Sequence, residues 1–68
     1  MTQKELLYLE DACLHEQVLL DVLNESKNNI QDDSFIEFFD NEISIHQNML
    51  DDLKGLLEDN SNEWSINI

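Results

Sequence analysis

Three side chains with the chemistry to bind a cation or move a proton, Glu16, Glu42 and His46, stand at positions where leucine is expected. At about 100° of helical turn per residue, Glu16 falls between Leu9 and Leu23 on one apolar stripe, and Glu42 and His46 straddle Phe35 and Leu53 on a second. Ionised groups are rarely buried unless they are paired or bound to metal, so these three mark a polar layer. If the stripes belong to two helices folded back about a turn near Ile30, Glu16 lies 14 residues before it and Glu42 and His46 lie 12 and 16 after it. All three then share one level.

Two copies of such a hairpin supply four glutamates and two histidines, the donor count of a di-metal carboxylate centre in a four-helix bundle. Carboxylates are hard anions able to bridge two cations, and imidazole adds a neutral terminal ligand suited to iron, manganese or zinc. That reading expects two divalent ions per dimer, held by Glu16, Glu42 and His46 of both chains. The usual motif spaces Glu and His by three residues. Glu42 and His46 are four apart, which turns the imidazole by about 100° and lifts it by about 1.5 Å. The simpler alternative needs no cofactor: a protonated glutamate or a glutamate–imidazolium pair completes a hydrogen-bonded layer that fixes register.

The remaining reactive types carry less. His15, four residues after Asp11, reads as half of a solvated helix pair, and Cys13 reads as a small hydrophobe with no nearby cation to activate its thiol. There is no glycine-rich phosphate loop and no serine elbow. No catalytic residue is assigned, and the chain is not expected to be an enzyme.

The elements that must position the layer are helices. Proline is absent and glycine occurs once, so the strongest breakers are nearly missing. Thr2-Gln3-Lys4-Glu5 and Ser34-Phe35-Ile36-Glu37 both have the form of a capping box, and the polar, Asn-rich segment 26–33 between the two runs reads as the connection. Asp59-Asn60-Ser61-Asn62 is expected to end the second run. The spacing predicts helices at about 3–27 and 35–58 in a hairpin covering 1–58. Residues 59–68 are left as a polar break and a short extended tail in which Trp64, Ile66 and Ile68 share one side.

The stripes supply the expected interface: Leu6, Leu9, Cys13, Leu20 and Leu23 on the first helix, with Phe35, Phe39, Ile43, Leu50, Leu53 and Leu57 on the second. Leu7, Leu14 and Val18 form a separate apolar strip. A chain of 68 residues buries only about 60% of its unfolded surface, and a two-helix hairpin covers each stripe on one side only. The expected completion is an all-α homodimer, a ferritin-like four-helix bundle.

Composition sets the outer limits. Sixteen acidic residues against three lysines give a formal charge of −13, which excludes direct nucleic-acid binding as the default. One cysteine cannot close an internal disulfide. Apolar runs of four residues or fewer are far below the roughly 20 needed to span a bilayer, and the first residues lack the apolar core of a signal peptide, so no membrane role and a cytoplasmic location are expected. Apolar residues at 41% are too many for a disordered acidic tail.

The segment from Glu5 through Leu6, Leu7, Tyr8, Leu9, Glu10, Asp11 and Ala12 to His15 and Glu16 resembles the opening of the Coat F family of spore coat proteins from spore-forming Firmicutes. The second helix, with His46 followed by a leucine-rich run ending at Leu57, is similar to that family's second helix. The resemblance implies a ferritin-like helical fold, a structural or accessory role in the spore or forespore, coat components as partners, and no established catalytic activity. By position, Glu16 and His46 match the family's recurring histidine-glutamate pair and second-helix histidine. Three functions therefore compete: a structural or interaction protein, a di-metal carboxylate bundle, and an acidic inhibitor or DNA mimic that occupies a basic partner.

Overall fold

The structure is a computed structural model that describes residues 1–66, with side chains described as far as Asn60. Two antiparallel helices, α1 (Gln3–Asn29) and α2 (Asp33–Ile66), are joined by Ile30, Gln31 and Asp32, and the described residues contain no strand. The Cα trace of the hairpin measures 51 × 14 × 13 Å, and its radius of gyration of 15.5 Å far exceeds the roughly 11 Å of a compact chain this long. Its long axis equals the length of α2 at about 1.5 Å per residue.

The start of α1 follows the local chemistry of the chain. The Glu5 backbone N–H donates to Thr2 Oγ1 (3.1 Å) and the Thr2 N–H donates to Glu5 Oε1 (2.9 Å), closing the capping box. The hydrogen bond from the Thr2 backbone, followed by that from its side chain, holds the Glu5 carboxyl below the usual range. The second box does not form. Asp32 caps α2 instead, its Oδ1 accepting from the backbone N–H of Ser34 (3.0 Å) and from the Ser34 hydroxyl (2.7 Å), and this pair of bonds lowers the Asp32 pKa. An Asp carboxylate accepts more strongly than a serine hydroxyl, which moves the helix start two residues earlier than expected. The connection shrinks accordingly.

The second helix also outruns its expected end at 58, and the extended tail is corrected to helix through Ile66. The asparagines that read as breakers are absorbed by the ladder. Asn60 Nδ2 donates to the Leu56 carbonyl at 2.8 Å, as Asn24 does to Leu20 (2.9 Å) and Asn29 to Glu25 (3.0 Å). Each amide thereby stays inside the helix rather than competing with it from outside. How the side chains of Trp64, Ile66 and Ile68 dock lies outside the described residues.

The core is a single seam with a seven-residue repeat. Leu6, Cys13, Leu20 and Lys27 form one buried or half-buried series on α1, and Leu9, Glu16 and Leu23 with the C-cap residue Ile30 form the other. Ile36, Ile43, Leu50 and Leu57, with Phe39, His46, Leu53 and Asn60, repeat the arrangement on α2. This is the a/d pattern of a two-stranded coiled coil. Among the described residues Leu6, Cys13, Leu20 and Leu50 are the buried apolar side chains, and Ile43, Leu53 and Leu57 pack against the last three of them. Ten of the eleven residues expected at the interface fall in this seam between the two helices. Phe35 stands outside the seam, 55% exposed.

Truncating Leu50 to Ala, at 3% exposure, is expected to cost about 2–5 kcal/mol. Gly55 sits in helical backbone with nothing within 4 Å of an added Cβ, so Gly55→Ala should stabilise by about 0.5–1 kcal/mol. Urea unfolding of both variants checks the two signs. Because the folded pKa values of Glu5 and Asp32 are depressed, their capping contribution is complete above the ordinary carboxyl range and is lost as pH falls through the lowered values. A carboxyl-carbon NMR titration should show both groups titrating low, and Thr2→Val, which removes the hydroxyl and keeps the backbone donor, should return Glu5 only part of the way.

Candidate functional site

The polar layer assembles within one chain. Glu16 from α1 and His46 from α2 occupy facing seam positions, with His46 Nδ1 at 2.7 Å from Glu16 Oε2. One turn before His46, Glu42 places Oε2 at 3.7 Å from His46 Nε2, beyond hydrogen-bond length but in reach of an ion pair if the ring carries two protons. Side-chain exposure rises along the array from 16% at Glu16 through 20% at His46 to 34% at Glu42. The equal heights expected from the turn are what bring Glu16 and His46 into contact.

Both imidazole nitrogens therefore face carboxylate oxygens. A proton on Nδ1 satisfies Glu16, and a second on Nε2 turns the ring into a cation flanked by two anions. A metal would need one of these nitrogens as a lone pair, and the shorter contact already occupies Nδ1. Among the described residues no three His, Cys, Asp or Glu side chains are grouped to hold an ion within one chain. The di-metal reading accordingly needs a second copy to supply the other half of its donors.

Other charged groups fall where the spacing put them. His15 Nε2 lies 3.6 Å from Asp11 Oδ1 in an exposed pair, and Cys13 is buried as a hydrophobe. Lys27, half-buried near the turn, pairs with Asp40 across the seam, a contact the spacing did not reveal. Lys27 sits in an a position, so the seam's seven-residue repeat is the signal that exposes it.

The array opens onto one face of the hairpin. Because the helices run in opposite directions, the positions flanking the second seam series lie on the same side of both. That side carries Tyr8, Leu19 and Val22 from α1 and Phe35, Phe38, Ile45, Met49 and Leu56 from α2, each between 37% and 62% exposed. Phe38 stacks edge-on against the seam residue Phe39, with ring centroids 5.6 Å apart, and so joins this face to the core. Glu42 stands among these residues. The opposite flank carries Glu10, Gln17, Asp40, Gln47 and Lys54, with the exposed Leu7 and Leu14 further out on α1.

Compared with known proteins, the chain matches no family model, no curated protein and no solved structure. No helix among the described residues is long and apolar enough to cross a membrane.

Removing His46 leaves the Glu16 carboxylate without its partner in the seam, so His46→Leu should lower stability by about 1–3 kcal/mol. The double change Glu16→Leu with His46→Leu should recover that loss or exceed it, because a packed apolar pair replaces a desolvated one. Urea unfolding measures both. Mn(II) or Zn(II) should leave the wild-type melting midpoint unchanged if the array is satisfied by hydrogen bonds. An ion held by it at a hundred times its dissociation constant would add about 2.7 kcal/mol.

Proposed function

We propose that this chain is a non-enzymatic structural or interaction protein, a half-bundle that docks its apolar face to complete a helical bundle. One observation carries the reading: eight large apolar side chains, contributed by both helices, lie half-exposed on a single side of the hairpin. Soluble monomers rarely gather this many exposed large apolar side chains on one face, and such faces mark interaction surfaces. The acidic side chains support it from the other direction. Glu10, Asp21, Glu25, Glu37, Asp40, Asp51 and Glu58 all lie off this face and would remain solvated on docking.

The likeness of the first helix to Coat F proteins adds a setting, a structural role in the spore or forespore with coat components as further partners. Within this reading the glutamate–histidine–glutamate array is the polar layer that orients the docked elements. A bound metal pair becomes the second reading if stoichiometric ion uptake is found.

The test is made on the protein as produced in its own cells and isolated at native salt. The chain should run in a species heavier than its 8.0 kDa. Val22→Glu together with Phe38→Glu should release it as the free chain, whereas Leu7→Glu together with Leu14→Glu should not. A wild-type chain that sediments alone under these conditions, with its helicity intact, would overturn the proposal.

A further inference from the structure

Resting on that reading, we infer that the occupant of the apolar face is a second copy of this chain, seated antiparallel so that the turn of each hairpin lies over the open end of the other. The area fits. Over the length of α1 the face runs about 40 Å, and two helices side by side span about 20 Å, giving about 800 Å² per copy, the size of a standard stable interface.

Charge permits a like partner on this face and on few others. Between Ala12 and Val22 on α1 and between Phe35 and Met49 on α2, the flanking positions carry one carboxylate, Glu42. Among the residues with described side chains, the face's remaining acids are Glu5, Asp52 and Asp59, and all three lie toward the open end of the hairpin. Parallel docking would stack these carboxylates on their mates, three acids per copy against Lys4, whose Nζ lies 5.9 Å from the centroid of the Tyr8 ring at the same end. Antiparallel docking moves the two sets tens of ångströms apart, well beyond the screening length of about 8 Å at physiological salt.

The two-fold axis of that arrangement crosses the face near mid-length, at the level of the Glu16–His46 contact. Ile45, exposed on this face beside His46, then lies near its own mate. Leu56, eleven residues further along α2, lies about 33 Å from its mate by the 1.5 Å helical rise. This juxtaposition sets the orientation apart from a parallel one, in which Leu56 would also meet its mate.

Recombinant chain alone, at tens of micromolar, should sediment at twice its 8.0 kDa mass. Val22→Glu with Phe38→Glu should weaken self-association at least about 100-fold, each buried carboxylate costing no less than about tenfold. In a Cys13→Ala background with helicity confirmed by circular dichroism, Ile45→Cys should form a disulfide-linked dimer under mild oxidation and Leu56→Cys should not. A helical wild-type monomer would overturn the second copy as occupant, while the partner-bound complex from native cells would still stand. A dimer insensitive to the two glutamates would overturn the face. Cross-linking through Leu56→Cys rather than Ile45→Cys would overturn the orientation.

Discussion

Two helices share one seam, and nearly every other property of this molecule follows from that limit. A helix in a larger bundle can bury residues on both flanks of its a and d positions. Here each helix has a single neighbour, so among the described residues only four apolar side chains are buried and the flanking hydrophobes stand half-exposed. The apolar content of the chain is that of a bundle, distributed over a structure with room for half of it. The exposed face is thus a geometric remainder of the fold, and a functional reading begins from what would cover it.

The same limit gives the polar layer its role. A seam of leucines repeating every seven residues matches itself nearly as well after sliding by one heptad, since the lost contacts are replaced by similar ones. Glu16 and His46 break that degeneracy, because a slip in either direction puts each opposite an apolar side chain and leaves a desolvated charge or imidazole without a partner. Lys27 and Asp40 repeat the device near the turn. The three-residue link removes what freedom is left, and two polar contacts then suffice to specify one alignment among otherwise similar ones.

Helix content, the hairpin and the convergence of Glu16 with His46 were legible in the sequence because they depend on spacing alone. The identity of the seam was only half legible. Read at 100° per residue, a stripe drifts by about 20° per heptad relative to the 3.5-residue repeat that two supercoiled helices follow. Over four heptads the drift blends the seam with its flank, so at 100° per residue Phe35 aligns with Phe39 and Leu53 although the structure puts it outside the seam. The helix ends erred for a different reason. Asparagine and serine change role with their surroundings, and whether Asn60 breaks a helix or donates back to Leu56 depends on the turn before it. No pattern of residue types records that choice.

The elongation of the hairpin, whose Cα trace measures 51 × 14 × 13 Å, also governs how it moves through water. A rod this elongated meets more friction than a sphere of equal mass, tumbles slowly end over end and spins quickly about its axis. A second rod laid alongside thickens the particle without lengthening it. Mass then doubles while the aspect ratio falls, so the pair diffuses with less drag per unit mass than either rod did alone. Porous media, which sort by hydrodynamic radius, therefore separate the single rod from the pair by less than their masses imply.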